Sequence, residues 1–356
     1  MLADHRPDGG VDGEVIRFAA TAGDRGRWEP RNRPAAEHLD PDCPVGIVVI
    51  NYGSHALLRE NLQPLSVELA SSCLPHRIAV VDNFTTDLER ERVARLAADN
   101  DWICVLRPDN RGFGAAVNHG AEVLLDNGCQ SIVMVNPDCR VTVATISGMA
   151  EQLAAQPLSM VGPRVLTSDG GLYSAGSVVD LRNGDTRRPL PDDGDPDHRG
   201  PGVTGWISGA CLAVGAPLWR AIGGFDERYF LYWEDVDLSR RALDAGAELW
   251  VRNDLTAVHD EGGTQLRASE RSKSSGYYVG NMRGRLRYAA DHLATGELVR
   301  WLFWSPAANW KILMRGGRRQ LGSGLLPWRA LIAGTVPGMA TAGVELLRRS
   351  VAAFRR

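Results

Sequence analysis

The segment Glu234-Asp235-Val236-Asp237 puts three carboxylates at the start of a helix-forming stretch, LSRRALDAG. Acids at a helix N-terminus are favoured by the helix dipole alone. One of them can also reach into a cleft as a general base, and Asp235 is the candidate, with Glu234 or Asp237 structural. The aromatic residues just before it, Tyr229, Phe230, Tyr232 and Trp233, suit either core packing or a wall on which a sugar stacks. A further acid, Asp138, closes Asn136-Pro137-Asp138 after an apolar run. A carboxylate there can hold a divalent cation that bridges a diphosphate, although the same tripeptide makes an ordinary β-turn. His259 precedes Asp260-Glu261-Gly262-Gly263. A lone histidine is more often structural, but beside Asp138 and a cation it becomes an imidazole ligand. Asn110-Arg111-Gly112-Phe113-Gly114 precedes a helical stretch, where glycines let backbone amides approach a phosphate or a sugar hydroxyl, or simply start the helix. There is no GxGxxG and no Walker lysine, and Lys273 and Lys311 are the only lysines, which argues against dinucleotide and P-loop chemistry.

These residues need a frame. Residues 45–50 (VGIVVI), 78–81 (IAVV), 102–106 and 132–135 are short apolar runs that read as buried strands. Helical stretches at about 56–70, 87–99 and 112–126 alternate with them. That rhythm predicts an α/β fold with a doubly wound, mostly parallel sheet. Ligands bind outside the carboxyl ends of such strands, and Asn51, Asp82, Asn110 and Asp138 all fall at or just after those ends. Beyond about residue 156 the spacing changes. Residues 159–181 read as short strand-like pieces, 192–202 as a mobile loop, and 205–214 as an apolar, small-residue run. A helix is expected at 235–245, and two short strands at 249–251 and 256–258.

The chain has 356 residues, 44% hydrophobic and 23% charged, enough for a large α/β domain with an appendage and too apolar for wholesale disorder. Its net charge of −3 argues against a nucleic-acid partner. The charge is unevenly spread. From Arg267 onward there are 16 Lys and Arg against 4 Asp and Glu, a net +12 on a body of −15. Residues 1–44 are polar and aperiodic and read as a disordered arm, without an apolar leader. The six cysteines form no CxxC pair, so a reducing cytoplasm is the expected compartment.

The order VVINY, VVDN, NRGFGAAVNHG, VNPD, SGACLAV, GGFDERYFLYWEDVDLSRRALDAG and VHDEGGT resembles the family 2 glycosyltransferases of GT-A fold, and their rhamnosyltransferase branch in particular, over about residues 45–290. The resemblance implies that Asp82 meets the nucleotide base and that Asn51 and Asn110 lie near the nucleotide. It also implies that Asp138 stands in for the DXD carboxylate, that Asp235 is the catalytic base, and that His259 lies near the metal or diphosphate. The departures are NYG for NYN, DNFT for DNxS, and one carboxylate in VNPD where DXD has two. Candidate donor contacts are Asn51, Tyr52, Asp82, Asn110, Gly112, Asn118 and Asn136. Candidate acceptor contacts are Trp206, Trp233 and Glu234. The candidate metal ligands are Asp138 and His259, for Mg²⁺ or Mn²⁺.

The implied chemistry is inverting transfer of a sugar, L-rhamnose from dTDP-L-rhamnose, to a hydroxyl on a cell-envelope glycan or polyprenyl-linked saccharide. A UDP-sugar donor, or a binding module without catalysis, would use the same cleft. Three parts are expected: the arm 1–44, a catalytic domain 45–266, and a basic helical region 267–356. The last carries Leu298, Trp301, Leu302, Phe303, Trp304, Trp310, Leu325, Leu326 and Trp328, flanked by arginines 300, 315, 318 and 319. Trp301 and Trp304, spaced i, i+3, read with Phe303 and Leu302 as an interfacial stripe for the inner face of the plasma membrane. Packing on the catalytic domain or a homodimer interface is the alternative. The charge-free run 330–344, containing Pro337, is too short to cross a membrane.

Overall fold

The computed structural model describes residues 15–19, 39–40, 42–189, 202–260, 273–322 and 324–354. Most of the expected arm 1–44, the loop 192–201 and Glu261 to Gly263 lie outside them.

Strand β1 (Ile16–Ala19) comes first, then β2 (Val45–Asn51), whose seven residues are all buried. β2 is covered on both faces, which is why it is apolar throughout and does not alternate. Helix α1 (His55–Leu57), a π turn over Leu58–Leu62 and α2 (Gln63–Ala70) replace the single helix expected there. Next come β3 (His76–Asp82), α3 (Asp87–Asp99), β4 (Ile103–Leu106), α4 (Phe113–Asp126), β5 (Ser131–Val135), β6 (Cys139–Val141) and α5 (Val143–Ala155). β7 (Ser159–Leu166), β8 (Leu172–Ser174), β9 (Ser177–Asp180), β10 (Thr186–Arg187), β11 (Val203–Trp206), β12 (Cys211–Gly215), α6 (Ala216–Ile222), α7 (Glu234–Asp244) and β13 (Glu248–His259) follow. The chain continues through α8 (Ser275–His292), α9 (Thr295–Met314) and α10 (Leu326–Phe354).

The main sheet runs β1-β13-β7-β12-β5-β2-β3-β4. β4, β3, β2 and β5 are parallel, as are β13 and β7, while β12 runs antiparallel between the two groups. The fold is therefore the expected α/β type with a largely parallel centre. One side of β2 turns Val48 and Ile50 toward Ala116, Val117 and Leu124 of α4. The other turns Ile47 and Val49 toward Leu65 and Leu69 of α2, Val93 of α3 and Met149 of α5. A smaller sheet, β10-β9-β11, stands apart.

Two expectations need correction. The segments 249–251 and 256–258 are one twelve-residue strand, β13, interrupted only by a register shift between Arg252 and Thr256. Part of the expected arm is ordered structure. β1 pairs with β13, and Phe18, 2% exposed, packs over Gly205 of β11, where a Cβ would lie 2.2 Å from its ring. Four residues are too few for periodicity to reveal a strand that its neighbour specifies.

The three C-terminal helices share a core with the rest of the fold. Trp301 and Leu298 of α9 and Leu286 and Tyr288 of α8 pack in one cluster with Val236 of α7, Trp233, Tyr229 and Val179 of β9. Trp301 is thus an inward residue and does not belong to an interfacial stripe. α10 continues through Pro337 for 29 residues, so counting charge-free positions understated its reach. By length and composition alone it could cross a membrane, and 22% of its most apolar window is buried.

Candidate active site

The carboxyl ends of the parallel strands gather most of the candidate residues. Asn51 ends β2 and Asp82 ends β3, paired in register. Asn51 Nδ2 donates to Asp82 Oδ1 at 2.9 Å, and Asn51 Oδ1 accepts from the Ser54 amide at 3.0 Å. Arg90 Nε reaches Asp82 Oδ2 at 3.3 Å, and its guanidinium lies 4.5 Å from the centre of the Phe84 ring. Glu89 accepts from the His55 amide at 2.8 Å and contacts His55 Nδ1 at 2.6 Å. Asn51 and Asp82 are wholly buried in this network, whereas Tyr52, beside them, is 48% exposed. In this arrangement Tyr52 presents its ring to solvent, and Asp82 is held behind Arg90. Neither Arg90 nor Glu89 was legible as a site residue, because each sits inside an ordinary amphipathic helix sequence.

The two most specific sequence blocks hold each other. Asn118 of α4 donates from Nδ2 to the Phe225 carbonyl at 2.9 Å and accepts at Oδ1 from the Phe225 amide at 2.8 Å. The Phe113 amide donates to the Phe230 carbonyl at 2.9 Å. Gly112 has φ +104°, and a Cβ there would lie 2.4 Å from the Phe230 oxygen, so only glycine fits. Asn110 Oδ1 accepts from the Gly112 amide and from Asn83 Nδ2, each at 2.9 Å. Asn118 thus fastens the loop that leads to α7, and its side chain faces that loop. Asn83 connects the end of β3 to the glycine loop; it was quoted in the VVDN block without being singled out.

Tyr232 and Trp233 have φ of +69° and +73°, left-handed values that are costly for aromatic residues. The strained pair sets the entry of α7. The Trp233 ring lies 5.4 Å from Tyr288 and 6.3 Å from Trp301, buried among the C-terminal helices. It is therefore not a stacking wall in the cleft, contrary to expectation. Trp206 is half-buried and packs against the same cluster.

The three acids of α7 have different surroundings. Asp237, 1% exposed, receives Arg241 Nε and contacts His292 Nε2, both at 2.7 Å. Burial would raise its pKa, but Arg241 and His292 hold it below the usual carboxylate range. Glu234 is 6% exposed, its Oε2 has no hydrogen-bond partner, and burial, followed by the charges of Asp235 and Asp237, pushes it well above that range. Asp235 is half-buried, with Oδ2 accepting from the Gly209 amide at 3.0 Å and Oδ1 from its neighbour Val236 at 2.9 Å. Burial pushes its pKa up to about 6, against the pull of those two amides. A carboxylate tuned near neutrality and open on one side has the properties of a general base. Gly209 belongs to this edge because β12 pairs antiparallel with β5, which sets Cys211 against Val135, and the Asn136 amide donates to the Ala210 carbonyl at 3.0 Å.

Asp138 and His259 meet through β-pairing. His259 is the partner of Cys139 in the β13–β6 ladder, which leaves His259 Nε2 3.2 Å from Asp138 Oδ1. Both are buried, and Tyr173 lies edge-on to the imidazole at 4.8 Å. A carboxylate oxygen and an imidazole nitrogen at this distance can serve one divalent cation together. Among the described residues no cluster of three such donors occurs.

The family model described as Glycosyl transferase family 2 matches residues 46–200. Over that stretch the chain is similar to the family 2 glycosyltransferases. The matched stretch holds the strand-end asparagines and aspartates, while Asp235 and His259 lie beyond it. An N-acetylglucosaminyl-diphospho-decaprenol L-rhamnosyltransferase of Mycobacterium tuberculosis is 31% identical over 161 residues, covering 38% of this chain and 52% of that protein. The chain spans about half the length of this curated relative. A dTDP-rhamnosyl transferase, RfbF, of Shigella flexneri is 23% identical over 217 residues, covering 60% of this chain and 67% of that protein. Among solved structures, GalNAc-T7 with UDP, GalNAc and Mn²⁺ aligns with a TM-score of 0.53 at 12% identity, over 81% of this chain and 55% of that one. The chain therefore has the GT-A fold, and at this identity the likeness is one of fold alone.

Proposed function

We propose that this chain is an inverting glycosyltransferase that takes a sugar from a nucleotide diphosphate donor and moves it to a hydroxyl acceptor. The observation that carries the reading is Asp235, held by the Gly209 amide at the strand-end edge with its pKa raised to about 6. Asp235 accepts the proton of the acceptor hydroxyl. The acceptor oxygen bonds to the anomeric carbon from the face opposite the nucleotide, and the bond from that carbon to the diphosphate oxygen breaks, its electron pair leaving with the diphosphate. Glu234, whose pKa burial and the neighbouring Asp235 charge push well above the carboxylate range, resists a second negative charge beside the base. Asp237, fixed by Arg241 and His292, orients α7. Asp138 and His259 would hold Mg²⁺ or Mn²⁺, which supplies Lewis-acid stabilisation of the leaving charge.

For the donor we propose dTDP-L-rhamnose, on the strength of the two rhamnosyltransferase relatives. The acceptor proposed is a cell-envelope saccharide, lipid-linked as the Mycobacterium relative's name describes its own. Tyr52, Asn110, Gly112 and Asn136 line the donor side in this reading. The test is thermal stability with a panel of nucleotide sugars and Mn²⁺. At 100 times its dissociation constant a ligand stabilises by about 2.7 kcal/mol. dTDP-L-rhamnose raising the melting temperature most supports the reading, and a larger rise with a UDP-sugar overturns the donor assignment.

We also propose that the outer faces of α9 and α10 lie on an anionic membrane on the cytoplasmic side. Most of the exposed large apolar side chains come from residues 299–354, among them Phe303, Trp304, Leu326, Ile332, Val336 and Leu347. α10 turns Ala330, Gly334, Gly338 and Ala342 inward and its larger apolar residues outward, the reverse of a helix that faces water. A symmetric dimer through this face would set the +12 of one basic region against that of its copy, whereas an anionic lipid surface neutralises it.

A further inference from the structure

The helix that carries Asp235 is held from behind by the C-terminal part of the chain. We propose that His292 of α8 is a positioning residue for Asp235, and that Arg349 of α10 fixes His292 in its turn. That role presupposes Asp235 as the base.

Asp235 and Asp237 are two residues apart on α7, so their side chains leave the helix about 200° apart around its axis. Asp235 meets the Gly209 amide at the strand-end edge, while Asp237 is buried on the other side. Whatever grips Asp237 therefore sets the rotation of α7, and with it the aim of Asp235. Arg241 grips one oxygen from α7 itself and ties the helix to the end of α6, donating from Nη1 to the Ile222 and Gly224 carbonyls at 2.7 Å each. His292 grips the other oxygen from a separate element, Nε2 to Oδ1 at 2.7 Å. Asp237, ionised beside Arg241, can only accept, so the ring donates from Nε2. Nδ1 has no hydrogen-bond partner, and the imidazole spends its one ring hydrogen bond on Asp237.

α8 is shaped to follow the entry to α7. Gly280, Gly284, Tyr288 and His292 are spaced by four and share one face of the helix. A Cβ at Gly280 would collide with the Leu231 oxygen, and one at Gly284 would lie 2.8 Å from Trp233 Cβ and 2.9 Å from the Tyr232 oxygen. The Tyr288 ring lies 5.4 Å from that of Trp233 and 4.8 Å from the His292 imidazole. The face thus tracks the chain from Leu231 through the left-handed pair to Asp237, and ends on the His292 bond. The end of α8 is fixed by α10. Its last-turn carbonyls lack helical partners. Arg349, 9% exposed, donates from Nη2 to the Ala290 carbonyl at 2.6 Å and from Nη1 to the Leu293 carbonyl at 3.0 Å, on either side of His292. Glu345 Oε1 accepts from Arg349 Nε at 2.9 Å and holds the fork in place.

The experiment follows hydrogen exchange of α7 by mass spectrometry in the full chain, alongside turnover of dTDP-L-rhamnose with Mn²⁺. His292→Leu keeps bulk and loses the bond to Asp237, and His292→Gln puts an amide donor near the place of Nε2. In His292→Leu the α7 peptides should exchange about tenfold faster. Turnover at saturating donor should fall about tenfold or more, with the donor KM within about twofold of wild type. His292→Gln should restore most of both. Arg349→Met, which keeps the stem and loses the fork, should move both in the same direction as His292→Leu. Leu153→Ala, a cavity in the separate core beneath α5, should melt lower and yet keep wild-type α7 exchange and turnover. Unchanged α7 exchange in His292→Leu, or faster exchange with wild-type turnover, overturns the positioning role. An equal loss of turnover in Leu153→Ala makes the effect one of stability and overturns it too. Faster exchange in His292→Leu, with no wild-type turnover of any nucleotide sugar, keeps the brace on α7 and overturns the glycosyltransferase reading instead.

Discussion

Asp138 Oδ1 and His259 Nε2 stand 3.2 Å apart, because the last residue of β13 pairs with the first residue of β6. Two ligand types distant in sequence are thereby set side by side at the edge where the nucleotide diphosphate is proposed to lie. Asp138→Asn removes the charge and keeps the shape. The Mn²⁺ concentration for half-maximal activity should rise roughly tenfold or more. His259→Ala should move it in the same direction. Full wild-type activity in excess EDTA would remove the metal from the account and leave the base untouched.

The bonds from Asn118 to both backbone groups of Phe225 fix the loop ahead of α7. Asn118→Ala leaves a buried amide and carbonyl unpaired, at a cost of about 1–3 kcal/mol. Urea unfolding should show a lower midpoint at unchanged slope. An unchanged midpoint would mean that the loop is held elsewhere.

Much of the frame was legible because apolar parallel strands alternating with helices carry their own pattern, as β2, β3 and β5 do with α3 and α4 between them. The blocks around Gly112 and Asp235 were also legible, since glycine and acid spacings are rare enough to stand out. The contacts between them were not. Nothing in the sequence says that Asn118 faces Phe225 or that Trp233 turns into the helical core, because tertiary packing settles side-chain direction. β1 escaped for the same reason: its four residues become a strand only against β13. Asn51, Asp82 and Asn118 were expected as donor contacts; in the structure Asn51 bonds Asp82 and the Ser54 amide, Arg90 reaches Asp82, and Asn118 holds the backbone of Phe225, none of which the sequence spells out.

Trp301 and its neighbours separate core from surface on one helix. Trp301 is wholly buried, with Nε1 donating to the Leu181 carbonyl at 2.8 Å. Trp301→Ala should cost about 3–5 kcal/mol of stability. Phe303→Ser with Trp304→Ser should leave the melting temperature near wild type and weaken co-sedimentation with vesicles containing anionic lipid. Unaltered, salt-insensitive pelleting of that variant would count against the membrane face.

The pKa of Asp235 near 6 sets a sign for pH dependence. A base works deprotonated, so kcat/KM should fall about tenfold per pH unit below 6 and level off above it. Stability runs the other way. The folded pKa lies above the unfolded one, so this group stabilises the fold below about pH 4 and loses that contribution as pH rises through 6. The melting temperature of wild type relative to Asp235→Asn, which never ionises, should therefore fall between pH 4 and pH 7.5. A rate profile flat from pH 5 to 8 would contradict the assignment.

The most direct measurement is the turnover of Asp235→Asn at saturating donor and metal, in protein shown by melting to be folded. Asn keeps the size and can still accept the Gly209 amide bond, giving up the proton acceptor and the short bond from the Val236 amide. The expected result is a fall in turnover of about 10²-fold or more with donor affinity nearly unchanged. Retention of more than about a tenth of wild-type turnover would contradict Asp235 as the base.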